Sequence, residues 1–410
     1  MTRGIVLSLM LTCASTVAAA AQVPEDSTAV AEDTTAMVAD DTSAVASEDT
    51  TEAYTVPWRT SYFPYLTGGA NDGPVLAARI RYWQPAQYEA RYTSTGAFSV
   101  DAGLSPRGSR FVTAQFRAPG LRKDWRLWVL ASADRQARYG YFGLGENTVF
   151  DKDLVGDGTP FLYRVRRTRY RGIAELTRIV RGPFMVAFQA NVEQVRFTSL
   201  PGSSRFTDDF PSGEIEEDDA AGRLALIYDT RDIEYNTHRG LLLEAGTQVG
   251  SGGSGNGWTR QYVMLRGWLP VREGTVIAAR VAGSGMGGHP TLNSRFSLPG
   301  WEQSVPVLGG EYSHRSLDTG RLTGDGSLFG NLEVRHDLLP FGDLGAITLI
   351  AFVDAGRVFE EEGFRLTTKD MKVGGGGGFA LRILRSTIIT FNFAGGPDGF
   401  NYSVGNGWAF

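Results

Sequence analysis

From about Tyr54 to its last residue the chain alternates large apolar side chains with small or polar ones at a two-residue period. Beyond the N-terminal leader, no stretch approaches the ~20 consecutive apolar residues that a membrane-spanning helix needs. The closing segment is the clearest case. Phe400, Tyr402, Val404, Trp408 and Phe410 fall on one face, with Asn401, Ser403, Gly405, Gly407 and Ala409 on the other. A strand carrying such a pattern divides its faces between two solvents. In lipid the backbone must satisfy its own hydrogen bonds, and only helices and closed barrels do so. The pattern therefore predicts an all-β protein: a single transmembrane antiparallel β-barrel, with outward residues facing hydrocarbon and inward residues lining an aqueous bore.

The start of the chain fits an exported protein. Arg3, the apolar run Ile5 to Leu11 and the small-residue stretch ending at Ala21 have the layout of a cleavable secretory signal. Residues 1–21 are assigned to that leader, 22–53 to a disordered acidic tail, and 54–410 to the barrel. The tail repeats a loose octad of acidic pairs and small hydroxyl residues, from Glu25-Asp26-Ser27-Thr28 to Glu48-Asp49-Thr50-Thr51. It has too little apolar surface to offset its ordering entropy. Of the 40 basic residues Arg3 lies in the leader, and nine of the 45 acids lie in 23–58, so the remainder is mildly basic, 39 against 36. The net acidity belongs to the tail and says little about a ligand of the barrel. The one cysteine, Cys13, sits in the leader. No disulfide or cysteine-based metal site is expected.

Sixteen strands are expected, centred near residues 79, 100, 114, 130, 167, 189, 226, 245, 263, 279, 294, 332, 350, 378, 390 and 406. An even count suits a single-chain bacterial barrel. The segments 143–160, 198–221 and 298–326 read as long extracellular loops because they are rich in Gly, Asp and Ser. Trp83, Trp125, Trp268 and Trp408, near strand ends, are expected in interfacial girdles. Polar faces expected toward the bore include Asn331, Glu333, Arg335 and Asp337, Gln189, Asn191 and Glu193, and Arg164 with Arg166 opposite Tyr163 and Val165. The four histidines, His238, His289, His314 and His336, have no metal-like spacing, and no cofactor or metal is expected. The Gly374 to Gly378 run lacks the Lys-Ser/Thr and helix of a phosphate loop, and reads as a strand start that allows curvature or close approach of a loop. Catalysis is not expected, and nothing in the residues points to nucleic acid.

Three stretches resemble the surface-antigen barrel of the BamA/TamA superfamily of outer-membrane assembly factors. They are Tyr228-Asp229-Thr230-Arg231-Asp232 followed by Arg239-Gly240; Leu308-Gly309-Gly310 leading to Arg315, with Gly330-Asn331-Leu332-Glu333-Val334-Arg335 after it; and Phe352-Val353-Asp354-Ala355-Gly356-Arg357-Val358. The aromatic end, with Tyr402, Trp408 and Phe410, resembles the terminal recognition signal of outer-membrane barrels. The resemblance implies that the sixth extracellular loop folds into the lumen and that its tip Arg315 pairs with Asp354. Alternation independently places Phe352 and Asp354 inward. The family's tip reads apolar, Arg, Gly, aromatic, whereas this chain has His314-Arg315-Ser316-Leu317. The cluster Asp229, Arg231 and Asp232 reads as a structural network near a strand end.

The resemblance implies a protein of the bacterial outer membrane that assists insertion of proteins into that membrane or translocation across it. Its partners would be outer-membrane lipid, unfolded outer-membrane or secreted clients, and a periplasmic chaperone or lipoprotein. The route would be a weak seam, expected between Val75–Trp83 and the last strand, Phe400–Phe410, since an imperfectly paired edge is a template for another strand. Only a tail of about thirty residues precedes this barrel, too short for a periplasmic POTRA domain, so client capture is expected to be delegated or absent. The alternative is a passive pore, receptor or structural surface protein that keeps the fold without assembly activity.

Overall fold

The computed structural model describes residues 56–410, except 70–72, 253–254, 302–303, 361–363 and 385–386. The segments assigned to a leader, 1–21, and to an acidic tail, 22–53, lie outside the described residues. Among the described residues sixteen barrel strands follow in chain order: β1 Arg59–Gly69, β2 Gly73–Pro85, β3 Ser94–Leu104, β4 Arg110–Arg122, β5 Trp125–Gly140, β6 Arg164–Arg181, β7 Phe184–Ser199, β8 Glu214–Asp229, β9 Gly240–Gly250, β10 Trp258–Arg272, β11 Thr275–Gly288, β12 Gly326–Pro340, β13 Gly345–Phe359, β14 Lys372–Ile383, β15 Thr387–Gly396 and β16 Gly399–Asn406. Each pairs antiparallel with the next, and β16 returns to β1 to close the barrel. No helix among the described residues is long and apolar enough to cross a membrane.

The alternation has the consequence that the sequence predicts. On β8, Leu224 and Leu226 are exposed while Arg223, Ala225 and Ile227 are buried in the interior. On β12, Leu332 and Val334 face out while Asn331, Glu333 and Arg335 are buried. Repeated around the wall, the exposed Leu, Val, Ile and Phe form a belt far larger than the few hundred Å² that soluble monomers leave bare. Hydrocarbon is the solvent that suits it.

The chain enters the barrel at Arg59 and leaves it after Asn406 at the same end as the tight turns 123–124, 182–183 and 273–274. The long connections 141–163, 200–213, 289–325 and 360–371 gather at the other end.

Several expectations are corrected. The strand expected near 294 does not exist: that region is a short helix, Leu292–Arg295, inside the long connection 289–325. The sixteenth strand is instead β1, which carries Pro64 and is not among the expected strands. Proline is tolerated there because β1 pairs along its length only with β2. The seam accordingly joins β16 to β1 and not to Val75–Trp83. The loop expected over 198–221 narrows to 200–213, because Glu214–Asp219 extend β8. On β6 it is Val165, Arg167, Ile173 and Glu175 that are buried toward the interior, while Arg166 lies on the outward face and Arg164, at the start of the strand, donates to Asp318 of the long connection at 2.9 Å.

The aromatic girdle is also thinner than expected. Trp125 lies outward with Arg178 stacked at 4.9 Å, but Trp83 shares the face of buried Val75 and Ala77. Trp268 packs inside, opposite Ala278 and Gly240, whose small size leaves room for an indole. Trp408 and Phe410 leave the lipid face altogether. Gly407, at φ 100°, ends the ladder after Asn406, and the last residues turn inward to pack against the buried interior. There Arg335 lies 4.2 Å from the Trp408 ring and Arg280 lies 4.8 Å from the Phe410 ring.

Candidate functional site: a loop held inside the barrel

The connection 289–325 does not remain outside. Thr291 caps its short helix by accepting a hydrogen bond from the Ser294 N–H at 3.1 Å. A two-residue ladder then joins Ser297–Leu298 to Val305–Pro306, and a bridge between Leu308 and Leu322 closes the tip. Gly309 and Gly310 sit at positive φ, 111° and 97°. A Cβ on Gly309 would lie 2.1 Å from the Asp318 carbonyl oxygen, so the reversal needs glycine for both conformation and space. Leu308, Leu317 and Leu322 bury themselves with Tyr262, Phe329 and Val358 of the wall.

Arg315, at the tip, meets the inward faces of β12 and β13. Its Nε and one terminal nitrogen donate to the two oxygens of Asp354 at 2.9 and 2.8 Å, and its backbone N–H donates to the same carboxylate at 2.9 Å. The other terminal nitrogen donates to Glu333. The guanidinium plane lies 3.5 Å from the centre of the Phe352 ring, and the side chains of Arg315, Glu333 and Asp354 are each 1% exposed. Asn331 steadies Asp354 from the side at 2.7 Å, while Arg335 holds the second Glu333 oxygen at 2.6 Å. One cation is thus shared by two buried carboxylates through a fork-shaped donor set, which lysine cannot reproduce. Burial works against the Arg315 charge, but Asp354 and Glu333 outweigh it, and its pKa is raised.

Ser316, where the family carries glycine, is not in the positive-φ region. The space is conceded by the wall instead. A Cβ on Gly374 would stand 2.0 Å from the Ser316 hydroxyl, and one on Gly396 2.2 Å from it. The first member of the glycine run therefore permits a close approach of the loop. His314 lies against the Lys372 carbonyl at 3.0 Å, and burial lowers its pKa.

A second anchor lies across the bore and was not found by sequence reasoning. The Trp301 backbone N–H donates to Glu244 at 2.7 Å, and its indole N–H donates to Thr177 at 3.1 Å. Glu244 also accepts from Arg223 at 2.7 Å and from the Tyr262 hydroxyl at 2.6 Å, and Arg223 donates in addition to Glu175. Register places Glu175, Gln189 and Arg223 directly opposite one another across β6, β7 and β8. Inward charges at matching strand depth were the available signal. Reading it required the pairing.

The Asp229 cluster forms the turn 230–239. Asp229 binds the Arg231 fork at 3.0 Å through each oxygen and meets Arg91 at 2.9 Å. Asp232 accepts from the backbone N–H groups of Ile233, His238 and Arg239. Tyr228 packs outward against Phe184, ring centres 5.0 Å apart. At the same end the Phe410 carbonyl accepts from Arg335 at 3.1 Å, and Trp408 donates to Asn236 at 2.9 Å. Tyr402 remains exposed on the outer face of β16.

Glu311 makes the loop's seat sensitive to pH. Burial pushes its carboxyl up from 4.5 to about 7, partly opposed by a hydrogen bond from Tyr312. Its carboxylate lies beside Gly405 of β16, 2.9 Å from where a Cβ would be. The seated loop retains a proton that a released loop gives up. Seating is therefore strongest below 4.5 and weakens as the pH rises to about 7. Protease cleavage of the loop should rise on the order of a hundredfold across that window, and Glu311→Gln should flatten the profile. An unchanged profile in the variant would assign the effect elsewhere.

These features define a class: a transmembrane β-barrel of the outer-membrane kind whose bore is crossed by its own long loop, pinned on both sides. A family model for the Omp85 superfamily domain matches residues 97–394, well over half of the chain, so the protein belongs to the Omp85 superfamily. Among solved structures, BamA from Haemophilus ducreyi lacking POTRA domains 1–3 shares 12% identity at a TM-score of 0.55, covering 85% of this chain and 70% of that one. CdiB from Escherichia coli shares 12% identity at a TM-score of 0.54, covering 85% of this chain and 62% of its own length. At such identities the likeness is one of fold. No curated protein matches.

Proposed function

We propose that this barrel assists other polypeptides in entering or crossing the outer membrane, and that the β1–β16 seam is where they engage. The seam carries the reading. Among the described residues β1 pairs with β2 from Arg59↔Trp83 to Gly69↔Gly73, but with β16 only at Gly68↔Val404 and Gly69↔Ser403. Most of the backbone donors and acceptors on the β16 side of β1 are left to other partners. An incoming strand could satisfy them by augmentation, and the wall would open with few ladder bonds broken. Clients of this kind are unfolded outer-membrane or secreted proteins, engaged from the side where the chain enters the barrel. A periplasmic chaperone or lipoprotein would deliver them. The loop crossing the bore weighs against a simple open pore.

The test places the purified barrel in liposomes and follows the folding of a second, urea-unfolded barrel. The expected result is faster insertion than in protein-free liposomes. Gly69→Cys/Ser403→Cys, oxidised to lock the seam, should return the rate to the protein-free value, and reduction should restore it. A locked barrel that still accelerates insertion, or an unlocked one that conducts ions without accelerating it, would reject the proposal.

A further inference from the structure

The outer wall near the long-loop end carries a cationic cluster that the interior does not account for. Arg110 at the start of β4 and Arg135 on β5 are directly opposite in the ladder. Both lie on the outward parity, the face of exposed Val112. Arg166 on β6 shares the outward face with exposed Tyr170, and Thr168 between them pairs with Arg135. Arg166 and Arg110 are the charges that bear on Arg135.

Like charges directly opposite on a sheet repel, and among the described residues no carboxylate is paired with any of the three. The Nε atoms of Arg135 and Arg166 are enclosed and have no hydrogen-bond partner within the protein. The neighbouring wall provides a contrast. Arg196, which faces Thr168 from β7, is neutralised by Glu216 and by Glu214 at 3.2 Å. The chain therefore supplies acids for one outward arginine at this height and none for the adjacent three.

Below the cluster the same faces turn apolar, with Val112 and Phe116 on β4 and Val129 on β5. The arginines thus stand at the upper border of the hydrocarbon belt, where lipid headgroups lie. We propose that Arg110, Arg135 and Arg166 form a binding site for the phosphate of a lipid headgroup in the leaflet on the long-loop side. Guanidinium forks match phosphate oxygens bidentately. A phosphate there removes the repulsion among the three charges and accepts hydrogen bonds from their terminal guanidinium nitrogens. The lipid's chains then lie along Val112 and Phe116, which a soluble anion cannot exploit.

The test uses the intact barrel in phosphatidylcholine vesicles with trace spin-labelled phosphatidic acid or spin-labelled phosphatidylcholine, reading the motionally restricted fraction by electron paramagnetic resonance. The protein should select phosphatidic acid over phosphatidylcholine. Arg110→Gln/Arg135→Gln/Arg166→Gln should lower that preference at least about fivefold, the effect expected for a single basic residue near an anionic surface, while Arg196→Gln should retain it. Arg135→Gln alone should give a smaller loss in the same direction, which keeps the test available if the triple variant fails to fold. An unchanged preference in both cluster variants overturns the site. Displacement of the labelled lipid by inorganic phosphate, but not by chloride at equal ionic strength, overturns the assignment to a lipid in favour of a soluble anion.

Discussion

Replacing Arg315 with alanine should release the loop tip from the barrel wall and leave Asp354 and Glu333, each 1% exposed, without their shared cation. Removing one partner of a buried pair costs about 3–5 kcal/mol. Here Asp354 keeps Asn331 and Glu333 keeps Arg335, and water can enter the vacated space, so the lower end, ~3 kcal/mol, applies. That changes the ratio of seated to released loop on the order of a hundredfold. Single-channel conductance in planar bilayers should rise, and the segment 309–321 should become sensitive to added protease. Arg315→Lys should fall between, since it keeps the charge but not the fork. Conductance and digestion patterns identical to those of the unmodified protein would mean that Arg315 does not hold the loop.

Trp301→Ala should have an effect of similar size by a different route. The indole is 3% exposed and packed among Ala187, Ile227 and Trp268, and truncating a buried tryptophan costs about 3–5 kcal/mol. The backbone bond to Glu244 survives in the variant, but the indole bond to Thr177 is lost. Because both anchors hold one loop, Arg315→Ala and Trp301→Ala should combine less than additively in the conductance assay. The β-rich circular dichroism and the heat-resistant gel mobility of the barrel should be retained. A loss of both, with no independent rise in conductance, would make Trp301 a contributor to the wall and not an anchor of the loop.

The contact between Arg315 and Asp354 was legible in the sequence and the contacts of Trp301 were not. Arg315, Phe352 and Asp354 lie in motifs whose inward parity can be counted along a single strand, so alternation and family resemblance converged on residues that the structure brings within 3.5 Å. Trp301 belongs to an irregular stretch without a period, and its partners Glu244 and Thr177 come from different strands. Their meeting depends on how the loop folds back, which no local pattern encodes. The misplaced first strand has a comparable cause. Pro64 lowers the local case for a strand, and only the position of β1 at the seam makes the missing donor tolerable. Trp408 and Phe410 kept the correct alternation on paper, but Gly407 breaks the register that alternation assumes.

What the sequence determined by itself was the kind of solvent each face meets. A two-residue period over nearly the whole chain leaves a closed barrel as the structure that satisfies every backbone group in lipid, and strand length and number follow within narrow limits. The tertiary structure decided which strands meet at the weak seam, where the long loop goes, and which inward charges become partners. Those outcomes depend on contacts between residues far apart in the chain, such as Arg315 with Asp354 and Trp301 with Glu244, whose energies arise only once the wall has closed around them.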